Sequence, residues 1–330
     1  WGYLHFPISA RYARGLGLPL VGMTAAFHTT WGDFGSFKPR PALEYECFSM
    51  LAHGAGCSVG DQLHPEGTLC RATYELIGAV FEQVEAREPW CLGARPCAEI
   101  ALFHPECFGA ADPPLVDRTE AGAAQILWSG HHQFDCVAGG AELQRYRVLV
   151  IPDRSGVGPE LAASLRAYLE QGGAIVAAHQ ALLQPAADAF ALDEVGARCH
   201  GPAPHEPDYL VPGPELSRRT PATALVMYRR AMRVSPRPGT EVWATVRAPY
   251  FERTRERFCG HRQAPPARDA GYPAVIRRGR LVYFAHPVFE IYRRHAPAWC
   301  RDLVLDALDA LLPEPLVRTD APPGCRVTVT

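Results

Sequence analysis

Short apolar runs alternate with amphipathic stretches along the first third of the chain. Leu20 to Ala25 is such a run, and a polar, aromatic burst through Phe34 follows it. Pro41, Leu43, Cys47, Met50 and Leu51 then recur at helical spacing, with Gly54 and Gly56 closing the segment. Cys57 to Gly60 is a second run with its own polar tip. A helix is predicted from about Arg71 to Ala86, with Tyr74, Ile77, Phe81 and Val84 inward and Pro89 as its stop. An aromatic opening (Trp1, Tyr3, His5, Phe6) and a short helix from Ile8 to Leu16, ended by Gly17, precede these elements. Strand, polar tip and helix, twice over, is the rhythm of a TIM-type (β/α) barrel, where function gathers at the carboxyl ends of the strands. A closed barrel has eight strands, so two units left alone would expose unpaired edges. The pattern therefore expects the missing strands upstream of Trp1.

From about Arg95 the alternation renews itself. Cys97 to Phe103 is predicted as a strand, Thr119-Glu120 as a helix start running to Gly130, and Phe134 to Val137 as a short segment. Tyr146 to Pro152 and Ala174 to Ala178 are unbroken apolar runs of the kind buried on both faces. A helix opened by Pro159, with Leu161, Leu165, Tyr168 and Leu169 inward, lies between them and closes at Gly172-Gly173. This order predicts a doubly wound parallel sheet, flavodoxin-like and class I amidotransferase-like in outline. Residues 185–270 are rich in Pro and Arg, and Ala224 to Arg230 and Val242 to Arg247 are their candidate strands. Ala274 to Arg277 and Leu281 to Phe284 flank a tight turn as in a hairpin, and a helix from Pro297 to Leu311 stops at Pro313. Cys325 to Thr330 alternates like a strand. The expected organisation is thus a barrel arc over 1–92, the doubly wound domain over 93–315, and the start of a truncated β domain over 316–330.

Composition narrows the function classes. A net charge of −2 over 330 residues offers no electrostatic footprint for nucleic acid or an anionic membrane surface. No apolar run approaches the roughly 18 residues that span a bilayer. The 11 cysteines are odd in number and scattered through apolar segments, which favours a reducing, cytoplasmic setting over a disulfide framework. Lys38 is the single lysine and Asn is absent.

The candidate chemistry lies at the two strand tips. Glycosidic cleavage generally uses a pair of carboxyl groups, with aromatic faces and polar side chains to hold the sugar. The first tip offers His28, Trp31 and Asp33, and the second offers Asp61, Gln62 and His64. Asp33 and Asp61 are the weak catalytic candidates, and all six are candidates for substrate binding. The competing expectation is structural: an Asp after Gly caps a turn or bonds neighbouring amides. Glu44 and Glu46, within a helix, are expected to face solvent or pack on the barrel. Cys259-Gly-His261 and His131-His132 lack the spacing of a metal site, and Gly156-Val-Gly158 lacks the third glycine of a dinucleotide loop. Neither a metal nor a cofactor is expected. An amidotransferase would carry a Cys nucleophile at the turn Ala178-His-Gln-Ala181, and none is there.

Several stretches together resemble one known group. They are Trp1-Gly-Tyr-Leu-His-Phe-Pro7, Phe27-His-Thr-Thr-Trp-Gly-Asp-Phe34, Leu43-Glu-Tyr-Glu-Cys-Phe48 and Gly60-Asp-Gln-Leu-His-Pro65. His132-Gln-Phe-Asp135, Tyr146 to Pro152, Gly172-Gly173, Pro249-Tyr-Phe-Glu-Arg-Thr254 and Phe258-Cys-Gly-His261 add to them. The chain resembles the hypothetical glycosyl hydrolases whose barrel is followed by a beta-galactosidase trimerisation-type domain, a group that includes alpha-L-fucosidases. At Glu252 the group commonly has Asn. The resemblance implies the carboxyl-terminal part of a retaining glycosidase acting on alpha-L-fucosides or related sugars, assembled as a homo-oligomer (dimer or trimer). It also implies a nucleophile on an earlier barrel strand, so the fragment alone is expected to be inactive. The alternative is an oligomer-forming module without chemistry.

Overall fold

The computed structural model describes residues 2–104, 117–138, 140–153, 156–186 and 189–330, so Trp1 of the aromatic opening lies outside the described residues. The chain divides into two compact units, Trp1–Cys97 with Thr328–Thr330, and Ala98–Val327.

The first unit contains α1 (Gly2–Ala13), β1 (Val21–Ala25), α2 (Arg40–Ala52), β2 (Gly56–Gly60), α3 (Arg71–Glu85) and the short α4 (Glu88–Cys91). Strands β1 and β2 pair in parallel, from Val21 opposite Gly56 to Ala25 opposite Gly60. Leu43 and Cys47 of α2 meet Val80 and Val84 of α3 in a core that Cys57 and Val59 of β2 close from the sheet side. Because strand side chains alternate, Gly22 and Thr24 share that helix-facing side. A Cβ on Gly22 would lie 2.5 Å from Met50 and 2.7 Å from Phe6, so the helices come as close as a bare backbone allows. The opposite face of β1 is open, with Val21 73% and Met23 65% exposed.

Two expectations for this unit need correcting. Tyr74 and Phe81 do not face inward but are 42% and 37% exposed. Val80 and Val84, one turn apart, aim α3 at α2 and roll the two aromatic rings outward. Pro89 does not end the helical stretch but sits in the first turn of α4, where a missing N–H costs no hydrogen bond.

The second unit is mixed α/β. It contains β3 (Ile100–Phe103), α5 (Arg118–Ser129), β4 (Phe134–Val137), β5 (Val148–Ile151), α6 (Pro159–Glu170) and β6 (Ala174–Ala178). After these come β7 (Ala197–Pro202), β8 (Asp208–Pro212), β9 (Leu225–Met227), β10 (Met232–Pro236), β11 (Glu241–Pro249), β12 (Pro266–Arg278) and β13 (Leu281–Phe284). The helices α7 (Val288–His295) and α8 (Ala298–Leu311) complete it. Among the described residues the main sheet runs β4-β3-β5-β6-β13-β12-β11-β8-β9, while β7 and β10 pair separately.

The first five strands of that order are parallel, and β3, β4, β5, β6 and β13 are buried at every position. The remaining strands are antiparallel, so the sheet is mixed rather than parallel throughout. The cause is local: Arg278 pairs directly with Leu281 across Gly279 (φ +57°) and Arg280, a two-residue turn that joins only antiparallel strands. The Pro- and Arg-rich middle supplies this antiparallel half. The tail Cys325–Thr330 forms no strand, and its Val329 carbonyl accepts from the Cys97 N–H at 2.9 Å.

Helices of the second unit are held by distant partners. The Asp117 carboxylate caps α5 by accepting from Thr119 N (2.9 Å) and Glu120 N (3.2 Å). Asp153, just past β5, accepts from Glu290 N at 2.8 Å in the first turn of α7. Full burial pushes the Asp153 carboxyl well above the usual carboxylate range. Helices α5 and α7 touch at Gly122, where a Cβ would meet the Phe289 carbonyl oxygen at 2.0 Å. The fully buried Asp306 of α8 accepts from Arg219 Nη1 at 2.5 Å and from Arg218 N at 3.0 Å. No helix among the described residues is long and apolar enough to cross a membrane.

Candidate functional site

Beyond β1 and β2 the chains stay paired for one more step, Ala26 N donating to Gly60 O at 2.9 Å. The two polar tips therefore leave the sheet side by side. The first tip folds on itself. Phe34 N donates to Gly32 O (2.8 Å), Ser36 N donates to Asp33 O (3.1 Å), and His28 N donates to Ser36 Oγ (3.0 Å). Gly32 (φ +77°) and Gly35 (φ +80°) supply the left-handed turns that bend it back. Phe27 is buried at its base and meets Trp31 and Phe34 edge-on, with ring centroids 5.8 and 6.1 Å away.

Trp31 ties the tips together. Its indole Nε1 donates to Gln62 Oε1 at 3.0 Å. The far edge of the ring rests on Gly60, where a Cβ would lie 2.5 and 2.6 Å from two ring carbons. Met23 lies on the same side, 3.4 Å from that Cβ position, so the indole covers the open face of the sheet and not the helix-facing one. The residue is 55% exposed.

Beside it opens a small cleft. Phe27, Phe34, Ser36 and Phe37 line it from the first tip, and Asp61, Gln62 and His64 line it from the second. Thr68, Cys70 and Thr73 form its far wall at the start of α3. The Thr73 hydroxyl, bonding to the Cys70 sulfur, holds that thiol below its ordinary pKa. Apolar rings with a few convergent polar groups are the usual make-up of a small-molecule site.

Of the six sequence-derived residues, Asp61, Gln62 and His64 line this cleft, and Trp31 is bonded to one of them. His28 and Asp33 stand apart from the lining. The Asp33 carboxylate accepts from Thr29 Oγ1 at 2.5 Å within its own loop, and that bond holds its pKa below the usual range. The Asp33 carboxylate is thus engaged within its own loop. His64 Nδ1 accepts from Glu66 N at 3.3 Å, which leaves Nε2 directed elsewhere. Among the described residues no three His, Cys, Asp or Glu side chains converge as metal ligands would, and Cys259 Sγ bonds the His261 carbonyl at 3.7 Å.

Sequence reasoning missed the aromatic contribution of Phe34 and Phe37 and the polar one of Ser36. Their signal was present as aromatic density, three Phe and one Trp between positions 27 and 37. Glu46 was expected to face solvent or pack on the barrel, and its side chain is 22% exposed. Glu46 Oε2 accepts from Lys38 Nζ (2.8 Å) and Thr24 Oγ1 (2.6 Å).

Comparison with known proteins adds an independent line. The chain superposes on the alpha-L-fucosidase isoenzyme 2 from Paenibacillus thiaminolyticus with a TM-score of 0.89 and 36% identity, over 95% of its own length. The chain resembles the alpha-L-fucosidase-like glycosyl hydrolases. It spans about half of that relative, 48% of its length. The same fold recurs in beta-galactosidases. Those from Bacillus circulans sp. alkalophilus (TM-score 0.69, 15% identity) and the haloarchaeon Halorubrum lacusprofundi (TM-score 0.64, 17% identity) match 97% and 96% of the chain and 49% and 47% of their own. No protein-family model and no curated protein matches the chain.

Proposed function

We propose that this alpha-L-fucosidase-like chain is the carboxyl-terminal part of a glycoside hydrolase. Its first unit supplies one wall of the sugar site, and its second unit is a flavodoxin-like assembly domain. The observation that carries the reading is the Trp31–Gln62 bond. It ties an exposed indole to Gln62, which lines one cleft together with Asp61 and His64, at the carboxyl ends of two parallel strands. An indole face suits the C–H surface of a pyranose, and the neighbouring carboxylate, amide and imidazole suit its hydroxyls. Two apolar surfaces support a barrel context: Val21 and Met23 on β1, and Tyr74 and Phe81 on α3, are where further β/α units would pack. The order β4-β3-β5-β6-β13 is, counted along the chain, second, first, third, fourth, fifth, as in flavodoxin-like sheets. Cleavage follows the retaining two-carboxylate route, with the nucleophile outside this chain and Asp61 the better of the two carboxylates for a role at the bond. The parent assembles as a homo-oligomer in the cytoplasm.

The test is hydrolysis of an aryl alpha-L-fucoside by the parent enzyme carrying Trp31→Ala or Asp61→Ala. Each is expected to lower kcat/KM at least about tenfold, the equivalent of ~1.4 kcal/mol, with the protein still folded. Residues 1–330 alone are expected to show no turnover, since a two-strand arc holds no carboxylate pair in register. Unchanged rates in both variants would leave the second reading, a chain that serves assembly and no chemistry.

A further inference from the structure

The loop that carries Trp31 leaves β1 after Ala25 and re-enters regular structure at α2, and Lys38 stands at its return. Lys38 Nζ donates to Thr24 Oγ1 at 2.7 Å and to Glu46 Oε2 at 2.8 Å. The Thr24 hydroxyl donates in turn to the same Glu46 oxygen at 2.6 Å. Thr24 lies in β1, immediately before the loop departs, and Glu46 lies in the second turn of α2, the helix into which the loop returns. One ammonium and one carboxylate thus clamp both ends of a twelve-residue excursion, residues 26–37.

The clamp is recessed, its Lys and Glu side chains only 13% and 22% exposed. It lies on the helix-facing side of the sheet, opposite the indole. None of its three residues, Thr24, Lys38 and Glu46, is among those that line the cleft. The residue type is informative as well. Lys38 is the only lysine among 33 basic residues, the rest being arginine. An ammonium is a compact donor that serves two acceptors around one point, whereas the planar arginine fork is longer and needs its acceptors side by side. A chain that uses arginine everywhere else keeps lysine where geometry demands a point.

We propose that Lys38 is a positioning residue for the strand-tip loop: clamped to Glu46 and Thr24, it fixes the loop so that Trp31 lies on Gly60 and bonds Gln62. The sugar-affinity part of this inference rests on the cleft being a carbohydrate site, while the loop-geometry part does not.

The experiment uses the chain as it stands, labelled with 15N, with the Trp31 indole resonance assigned by its loss in Trp31→Phe and L-fucose as the probe. In Lys38→Met the Trp31 indole signal is expected to move toward the position of a freely solvated indole, while the other tryptophan indoles stay in place. L-fucose affinity is expected to fall at least about tenfold per folded molecule. Lys38→Arg is expected not to restore either property. Glu46→Gln, which keeps the shape of its partner, provides the second variant and is expected to shift the same signal. A drop in melting temperature with the Trp31 signal and the affinity unchanged would overturn the proposal, leaving a stability clamp only. No L-fucose binding by the parent chain counts against the carbohydrate reading of the cleft. The indole signal then decides the clamp by itself: a shift in Lys38→Met upholds it and a fixed signal refutes it.

Discussion

Replacing Gly60 by alanine adds a single methyl under the Trp31 ring. That methyl would sit 2.5 and 2.6 Å from two indole carbons, whereas carbon atoms settle at about 3.5–4.0 Å. The ring must therefore retreat by roughly 1 Å. The obstruction is the far end of the side chain of a residue that is 55% exposed, so the ring can swing outward without displacing β2. Gly60 is not among the glycines in the left-handed region, so alanine suits its backbone. The Trp31–Gln62 bond, already 3.0 Å, does not survive such a movement. Its loss costs about 0.5–1.5 kcal/mol, and misplacing the aromatic face costs a similar amount in stacking. Only the stacking share, about 0.5–1.5 kcal/mol, acts on sugar binding, a weakening of about 2- to 13-fold. Titration of Gly60→Ala with L-fucose, followed by the Trp31 indole signal, measures it, and the melting temperature should hold within a few degrees. In a Trp31→Ala background the same substitution should add almost nothing, because the two changes act through one ring. An unmoved indole signal, or a weakening that is additive in the double variant, would refute the reasoning.

Two further outcomes follow from the second unit. Burial draws His132 down to about 4 from an ordinary value near 6.5, so the folded state holds it neutral. The unfolded chain gains that proton first as pH falls, so stability is intact above pH 6.5 and declines between pH 6.5 and 4, by up to about 3 kcal/mol. Urea unfolding across that range should show this slope, His132→Leu should remove its share, and a flat profile in the parent chain would contradict it. Asp306→Ala strips the buried acceptor of Arg219 and of the Arg218 amide, a loss of roughly 1–3 kcal/mol measurable by the same unfolding assay, since Arg219 is 38% exposed. A change below ~1 kcal/mol would mean that Asp309, 2.8 Å from Arg219 Nη2, carries the interaction alone.

What the sequence disclosed and what it hid divide along physical lines. The buried strands β5 and β6 announced themselves because a run such as Val148-Leu-Val-Ile151 satisfies both faces locally. The Arg278–Leu281 hairpin was legible because its turn chemistry lies within four residues. Helix α7 was missed. It has only eight residues, and the cap that starts it, Asp153, lies 137 positions away. Periodicity located α3 and put Ile77 and Val84 on its inner face, but spacing alone could not exclude Tyr74 and Phe81, which are exposed. At the site, residue types pointed to Trp31, Asp61, Gln62 and His64. They could not separate these from Asp33, whose carboxylate is spent on Thr29 one turn away. The Lys38 clamp stayed hidden because its partners lie 14 and 8 positions off, on two different elements.

The bare contact at Gly122 has a reach well beyond its own helix. With nothing between them but main chain, α5 and α7 are keyed together, and a single added methyl would have to wedge them apart. Because α7 starts on the Asp153 carboxylate, that wedge would also pull a donor from an acid sealed away from water. One missing side chain thus protects a distant buried carboxyl, and a substitution at position 122 would disturb both.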